Sequence, residues 1–172
     1  MTVRGASASD AQACAAIYAP YVEDTAITFE AVPPPAREMG RRIAAAAETH
    51  AWLVLEDDER VVGYAYGGQL NSRAAYRWSC EVSVYVERGR RRTGAGRALY
   101  EALFERLTQR GFCVAVAGMT LPNEASVGLH RAMGFRTVGV YRRIGYKLGA
   151  WHDVEWMQRP LAVASAPPPE PS

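Results

Sequence analysis

The sequence has few cysteines, no long apolar run and little excess charge, and each absence excludes a class of protein. Its three cysteines, Cys14, Cys80 and Cys113, are odd in number and far apart, which argues against a disulfide framework and against a Cys-x-x-Cys metal site. No apolar stretch is long enough to cross a bilayer, and the N-terminus lacks the basic and apolar regions of a signal peptide. The net charge of +2 is too small to indicate nucleic-acid binding. We therefore expect a cytoplasmic protein with no metal and with no membrane or nucleic-acid partner.

The chain length and composition fit one globular domain. A chain of 172 residues with 49% hydrophobic and 22% charged residues can bury a sizeable core without disulfides. Residues 162–172 consist mainly of alanine, proline and serine and have little to bury, so we expect a disordered tail there. The predicted domain therefore spans residues 1–161.

The hydrophobic pattern predicts an α/β chain of about seven strands and four helices. Strands are expected near residue 3 and at 51–56, 60–68, 78–86, 113–117, 135–146 and 154–159, and helices at about 10–20, 35–48, 94–110 and 123–133. The turn residues Asp57-Asp58-Glu59 predict a hairpin between the second and third strands. The order of the elements predicts a mixed sheet with this hairpin and three helix-linked connections of the parallel type.

A run of arginines and two glycines follows the strand that is predicted to end at Val86. The segment Arg91-Arg92-Thr93-Gly94-Ala95-Gly96 leads directly into an amphipathic helix. Glycines allow a turn that directs several backbone N–H groups at one point, and the helix N-terminus adds a positive dipole. The pattern predicts a pyrophosphate site, with a glycine-containing loop and solvated arginines as the alternative. The segment has neither the Gly-Lys-Ser/Thr of a P-loop nor the third glycine of a dinucleotide fingerprint.

Two motifs together resemble the GCN5-related N-acetyltransferase (GNAT) superfamily. The coenzyme A motif of that family, Gln/Arg-x-x-Gly-x-Gly/Ala, is matched at residues 91–96 after the central strand. Its second signature is matched by Asn123, Ser126, His130, Gly134 and Phe135. Within the superfamily, residues 2–161 resemble the phosphinothricin and methionine-sulfoximine acetyltransferases. The segments that carry this resemblance are 17–18, 25–30, 81–86, 121–123 and 149–154.

The resemblance implies a fold, a cosubstrate and an assembly. The implied fold is a mixed, mostly antiparallel sheet with helices on both faces, splayed beside the central strand so that acetyl-CoA enters, and the implied assembly is a homodimer. A backbone N–H of the central strand would hold the acetyl carbonyl, and the glycine turn would hold the pyrophosphate. The implied cofactor-binding residues are Val84, Tyr85, Val86, Arg91, Arg92, Thr93, Gly94, Ala95, Gly96, Arg97, Asn123 and Ser126.

Glu81 and His130 are the candidate catalytic residues. Acetyl transfer to an amine needs a base for the amine and a proton for the leaving thiolate. Glu81 lies on the central strand, on the opposite side from the valines, and burial there would raise its pKa. A salt bridge to Arg73 or Arg77 is the alternative for this carboxylate. His130 stands where many relatives of the superfamily have a proton-donating tyrosine, and a packing or capping role is its alternative.

The resemblance also indicates where the acceptor amine binds. The implied substrate-binding residues are Phe29, Glu30, Arg73, Ala74, Ala75 and Tyr76, together with the late segment 142–147. Because arginine pairs with carboxylates and phosphinates, we expect a small amino-acid analogue such as phosphinothricin, methionine sulfoximine or methionine sulfone. A polyamine or a protein N-terminus is the competing acceptor. A binding protein for acetyl-CoA without turnover is a third hypothesis, which the retention of Glu81 and His130 disfavours.

Overall fold

Seven strands form one mixed sheet in a computed structural model, which describes residues 1–90, 93–163 and 168–172. The strands are β1 (Thr2–Gly5), β2 (Ala51–Asp57), β3 (Arg60–Gln69), β4 (Ser79–Val86), β5 (Val114–Leu121), β6 (Arg136–Lys147) and β7 (Ala150–Pro160). Their spatial order is β1-β2-β3-β4-β5-β7-β6, and every neighbouring pair is antiparallel except β4 and β5. The predicted mixed, mostly antiparallel sheet is confirmed.

In the described part of the chain, four α-helices cover the two faces of this sheet. They are α1 (Ala11–Asp24), α2 (Ala36–Thr49), α3 (Ala95–Gln109) and α4 (Glu124–Ala132). On one face, α3 buries Leu99, Leu103 and Leu107 completely, and burial of a leucine side chain contributes about 1.5–3 kcal/mol. On the other face, α1 and α2 enclose a second core that includes Ile17 and Ile43. The central strands are therefore covered by helices on both sides.

The three predicted parallel connections were wrong in number, because β4 and β5 are the one parallel pair in the described part of the sheet. The first connection contains two helices, α1 and α2, so β2 returns antiparallel to β1. The connection through α4 carries the chain from β5 to β6, but β7 lies between these two strands and pairs with both. A helix between two strands in sequence therefore does not make them neighbours.

A tight turn connects the two strands of each of two antiparallel hairpins. Asp58 and Glu59 have φ values of 48° and 60° between β2 and β3, which confirms the predicted hairpin. Leu148 and Gly149, with φ values of 52° and 76°, make the corresponding turn between β6 and β7. Both turns need positive φ at two successive residues, which asparagine, aspartate and glycine adopt most readily.

The sheet opens between its two central strands. β4 and β5 share three register pairs, Ser79 with Val114, Cys80 with Ala115 and Glu81 with Val116. Beyond Glu81, β4 remains paired with β3 while β5 continues along β7. The second half of β4 therefore faces a cleft in place of a neighbouring strand.

The C-terminal residues 168–172 lie against the domain beside the loop that precedes β4. Trp78 Nε1 donates to the carbonyl oxygen of Pro169 at 2.8 Å, and Arg77 makes two 2.7 Å contacts with the Glu170 carboxylate. The backbone N–H of Ser172 donates to the Arg110 carbonyl at 2.9 Å. Disorder of the whole tail 162–172 stays a prediction. No helix in the described ranges has the length and apolar composition required to span a bilayer.

Candidate active site

A narrow cleft of about 50 Å³ lies where β4 and β5 separate. Side chains from both strands and from the helices α3 and α4 meet there, together with one residue of the loop after α1. The lining residues are Ile27, Val82, Ser83, Val84, Tyr85, Tyr100, Gly118, Met119, Asn123, Ser126 and His130. Five residues predicted from the sequence, Val84, Tyr85, Asn123, Ser126 and His130, are thus brought together.

The backbone of β4 turns alternate peptide groups towards the cleft. The N–H of Glu87 donates to the carbonyl of Val62, so Glu87 faces β3. Backbone N–H and C=O groups alternate in direction along an antiparallel strand. Those of Tyr85 therefore also point to β3, whereas those of Val84 and Val86 point into the cleft. The Val86 carbonyl accepts from Tyr21 Oη at 2.6 Å. Of the predicted backbone groups, Val84 and Val86 can therefore meet an extended ligand.

The glycine turn forms the N-terminus of α3, the helix that follows β4 in the chain. Gly94 caps α3 with φ at +82°, a left-handed conformation that glycine adopts without strain. The N–H of Ala98 is bonded to the carbonyl of Gly94, while the N–H groups of Ala95, Gly96 and Arg97 lie in the first turn, where a helix provides no acceptor. These three N–H groups and the helix dipole favour an anion.

The arginines around this turn have different environments. Arg90 is held by Asp57 at 2.6 Å and by Glu87 at 3.1 Å, so its guanidinium is already neutralised. Arg97 is more than half exposed and lies 3.6 Å from Glu101 across one helical turn. Thr93 Oγ1 donates to the Arg90 carbonyl and closes the turn. The predicted phosphate contacts of Arg91 and Arg92 lie outside the described residues.

Glu81 is a partly buried carboxylate without a counter-ion in the described structure. It lies on the α1 and α2 side of β4, opposite the core residues Cys80 and Val82, as the alternation predicted. Burial raises the pKa of this carboxyl group. Arg77, one alternative partner, is engaged with Glu170 instead. A carboxylate with a raised pKa and no ion pair has the properties of a general base.

His130 is held on both sides within the cleft. Its Nδ1 lies 2.7 Å from the Ser126 carbonyl and its Nε2 lies 2.9 Å from the Tyr100 hydroxyl. Burial lowers the pKa of the imidazole, and the Ser126 carbonyl acts against that effect. Asn123 caps α4, because its Oδ1 accepts from the Ser126 N–H at 3.2 Å. The cap fixes the helix that carries His130.

A separate cavity of about 420 Å³ lies at the other end of β4. It contains three of the predicted acceptor residues, Arg73, Ala74 and Tyr76, which the loop before β4 presents. The tail residues 170–172 also line it. Ala75 belongs to the same short 3₁₀ turn but does not line this cavity.

Phe29 and Glu30 lie in a different place from these loop residues. Phe29 packs on the backbone of β6 at Gly145, so closely that a side chain at position 145 would collide with its ring. Glu30 is bonded to Arg42 on α2 at 2.6 Å. Lys147 Nζ donates to the Thr28 carbonyl at 2.7 Å. The predicted acceptor residues thus form two groups. The late segment 142–147 contacts the loop that carries Phe29 and Glu30.

Sequence reasoning missed Tyr100, Ile27 and Met119 as lining residues of the cleft. Tyr100 occupies a core position of α3 with the helical spacing of its leucines, so the pattern marks it as a packing residue. Met119 is an apolar residue outside these motifs, and Ile27 lies in the resemblance segment 25–30 but had no predicted role of its own. A signal for Tyr100 exists only in three dimensions, where its hydroxyl meets His130.

No group of three or more His, Cys, Asp or Glu side chains in the described ranges could hold a metal ion. The functional groups in the cleft are backbone N–H groups, hydroxyls, an amide and an imidazole. These groups suit a thioester and its pantetheine arm, which need hydrogen bonds and an electrophilic carbonyl held in place.

The profile of the acetyltransferase (GNAT) domain family matches residues 3–156. The chain belongs to this family. A phosphinothricin N-acetyltransferase of Streptomyces viridochromogenes is 36% identical, over 97% of this chain and 91% of that protein. The L-methionine sulfoximine/L-methionine sulfone acetyltransferase of Pseudomonas paraeruginosa is 34% identical, over 97% of this chain and 98% of its own length.

Solved structures of the GNAT family share this architecture. The crystal structure of a GNAT superfamily phosphinothricin acetyltransferase from Sinorhizobium meliloti in complex with acetyl-CoA superposes with a TM-score of 0.91. The two chains are 35% identical, and the match covers 99% of this chain and 92% of that one. The predicted family, fold class and enzyme class are therefore confirmed.

Proposed function

We propose that this GNAT acetyltransferase moves the acetyl group of acetyl-CoA directly to the α-amino group of a small amino-acid analogue. Phosphinothricin, methionine sulfoximine and methionine sulfone are the acceptors that we favour. The observation that carries the proposal is the partly buried Glu81 carboxylate on β4, which has no counter-ion among the described residues and lies beside the opening of the sheet. The choice of acceptor is supported by the names of relatives that are 34–36% identical over almost the whole chain.

In this mechanism the cofactor lies along β4. The N–H groups of Ala95, Gly96 and Arg97 bind the pyrophosphate, and the cleft-facing peptide groups of Val84 and Val86 hold the pantetheine and the acetyl carbonyl. Glu81 takes the proton of the ammonium group, because an amine attacks the thioester only when it is neutral. The raised pKa of Glu81 brings it closer to that of an amine and makes the transfer less unfavourable.

The proposal is tested by following thiol release from acetyl-CoA with a panel of acceptors. We expect release with the three amino-acid analogues, and none with spermidine or short peptides. Glu81→Gln is expected to keep its affinity for acetyl-CoA and to lose about 10²–10⁴ in turnover. Glu23→Gln, at an exposed position of α1, is the matched control. Release with spermidine or peptides alone would replace the acceptor and leave the enzyme class standing.

We also propose that the enzyme is a homodimer joined through β6 and the adjacent hairpin. Six large apolar side chains in this region are more than half exposed, and such clusters mark interaction surfaces. They are Val138, Tyr141, Ile144, Tyr146, Leu148 and Trp151. β6 is also an edge strand of the sheet. Light scattering should give the mass of a dimer for the wild type and of a monomer for Val138→Asp; a monomeric wild type would contradict the proposal.

We infer a cytoplasmic setting. The three cysteines are free thiols, and Cys14 and Cys80 are fully buried. Free thiols of this kind are usual in a reducing compartment.

Acetylation would remove the positive charge of the α-amino group. This is the chemical change expected of an enzyme that inactivates an amino-acid analogue.

A further inference from the structure

Tyr100 and His130 form a buried pair in the cleft. Tyr100 lies in the second turn of α3 and has no exposed surface, and His130 lies in α4 with 3% of its surface exposed. The hydroxyl oxygen and Nε2 are 2.9 Å apart. Both side chains line the cleft beside Val84 and Met119. A ligand that enters between β4 and β5 would therefore lie beside this pair.

The partners of the imidazole determine its tautomer. A carbonyl oxygen only accepts hydrogen bonds, so Nδ1 carries the hydrogen that is directed at the Ser126 carbonyl, 2.7 Å away. In the neutral ring, Nε2 then holds a lone pair, and the Tyr100 hydroxyl donates to it. Burial favours this neutral ring. Neither nitrogen of His130 has a hydrogen left to offer to the cleft.

We propose that the Tyr100 hydroxyl donates the hydrogen bond that stabilises the leaving thiolate of coenzyme A, and that His130 is the positioning residue that holds this hydroxyl ready. The inference rests on the proposed acetyl transfer. When the C–S bond breaks, its electron pair stays on sulfur. The amine nitrogen has by then bonded to the acetyl carbon, and the carbonyl re-forms as sulfur leaves. The Tyr100 O–H turns from Nε2 to the thiolate without transferring its proton. The nitrogen releases its second proton to water, and the thiolate later takes one proton from water.

The physical chemistry of the two groups agrees with this division of roles. A hydrogen bond to a charged acceptor is shorter and about twice as strong as one between neutral groups. The hydroxyl therefore gains when it exchanges the neutral imidazole for an anionic sulfur. Burial raises the pKa of Tyr100 far above its ordinary value, so the hydroxyl stays protonated beside the thiolate. His130 receives the hydroxyl again when coenzyme A leaves.

The direct test measures the thiol pKa of coenzyme A bound to the enzyme, from the ultraviolet absorbance of the thiolate. A donor aimed at the sulfur lowers that pKa, so Tyr100→Phe should raise it by about one to two pH units. Tyr64→Phe, a buried tyrosine in the core on the opposite face of the sheet, should leave it unchanged. An unchanged thiol pKa in Tyr100→Phe, with coenzyme A still bound by calorimetry, would overturn the proposal. No acceptor amine is needed, so this test is independent of the proposed substrate.

A second test separates the donor from its positioning residue. Tyr100→Phe should lower kcat about tenfold to a hundredfold with little change in the KM for acetyl-CoA. His130→Gln should lower kcat less, and the double variant should match Tyr100→Phe alone, because His130 acts through Tyr100. If His130→Gln loses more turnover than Tyr100→Phe, the imidazole is the sulfur's partner and the proposal is wrong.

A spectroscopic test needs no variant enzyme. The chain has three histidines, so nitrogen-15 spectra of histidine-labelled protein can resolve His130. We expect hydrogen on Nδ1 and an unprotonated Nε2 in the neutral ring. If the hydrogen were on Nε2, the imidazole would donate to the Tyr100 oxygen, and the Tyr100 hydroxyl could not donate to Nε2. That result would contradict the proposal.

Discussion

Gly96, the second residue of α3, is the position where one side chain should remove the cofactor and leave the fold intact. A Cβ placed there would lie 3.0 Å from Leu129 Cδ2, closer than side chains normally pack. The branches of a valine would extend further, over the first-turn N–H groups that we assign to the pyrophosphate. Leu129 is a flexible side chain that can shift, and valine is acceptable in a helix, so we expect Gly96→Val to fold.

The size of the effect follows from the hydrogen bonds that would be lost. Each bond from a backbone N–H to a charged oxygen contributes about 1.5–3 kcal/mol. Loss of two such bonds removes about 3–6 kcal/mol, which corresponds to a weakening of acetyl-CoA binding by about 10²–10⁴. The collision with Leu129 is present in the folded protein with or without cofactor. It should therefore lower the stability of the fold but change the affinity for acetyl-CoA very little.

Calorimetry with acetyl-CoA checks this expectation, with thermal unfolding as the test of the fold. Gly128→Val is the matched control, because Gly128 is also helical and a Cβ there meets no heavy atom within 4 Å. We expect the control to bind normally. An acetyl-CoA affinity in Gly96→Val that equals that of the wild type would refute the assignment of the glycine turn as the pyrophosphate site.

Two further predictions follow from pKa shifts. Because burial raises the pKa of Glu81, kcat/KM should fall with decreasing pH at a pH above the ordinary range of glutamate, and Glu81→Gln should lose that limb; a rate profile with the same limb in both proteins would contradict the role of Glu81. Arg4 holds the pKa of the buried Asp10 at about 2, below the ordinary 3.8, so this pair stabilises the fold above pH 4 and the contribution is lost as the pH falls to about 2. Asp10→Asn should therefore cost about 2 kcal/mol at pH 7 in urea unfolding and much less near pH 2; an equal cost at both values would contradict the ion pair.

The elements of the fold could be predicted because each has a local cause. Alternation in 81–86 predicts a strand with Glu81 on one side and valines on the other, and the acidic turn 57–59 predicts its hairpin. The position of β7 between β5 and β6 has no such local signal, because it depends on pairing between strands that are distant in sequence. The number of parallel connections was therefore the part of the fold that the sequence pattern predicted wrongly.

The candidate site divides in the same way. Glycine turns and helix caps depend on neighbours in sequence, so Gly94 and Asn123 could be recognised from their motifs. The contact between Tyr100 and His130 joins two helices that are 30 positions apart, and no spacing rule relates them. The packing of Phe29 on Gly145 is of the same long-range kind. Chemistry that depends on such pairs becomes visible only in three dimensions.

The three register pairs between β4 and β5 also have a mechanical consequence. Within the sheet, these pairs are the connection between β1 to β4 on one side and β5 to β7 on the other. The cleft therefore lies at the seam, the boundary between these two halves of the sheet. A ligand that hydrogen-bonds along Val84 and Val86 would bridge this seam. Ligand at 100 times its dissociation constant stabilises a protein by about 2.7 kcal/mol. The bound cosubstrate would thus stabilise the connection between the two halves of the sheet as well as react. Amide hydrogen exchange along residues 82–86 should therefore slow when it binds.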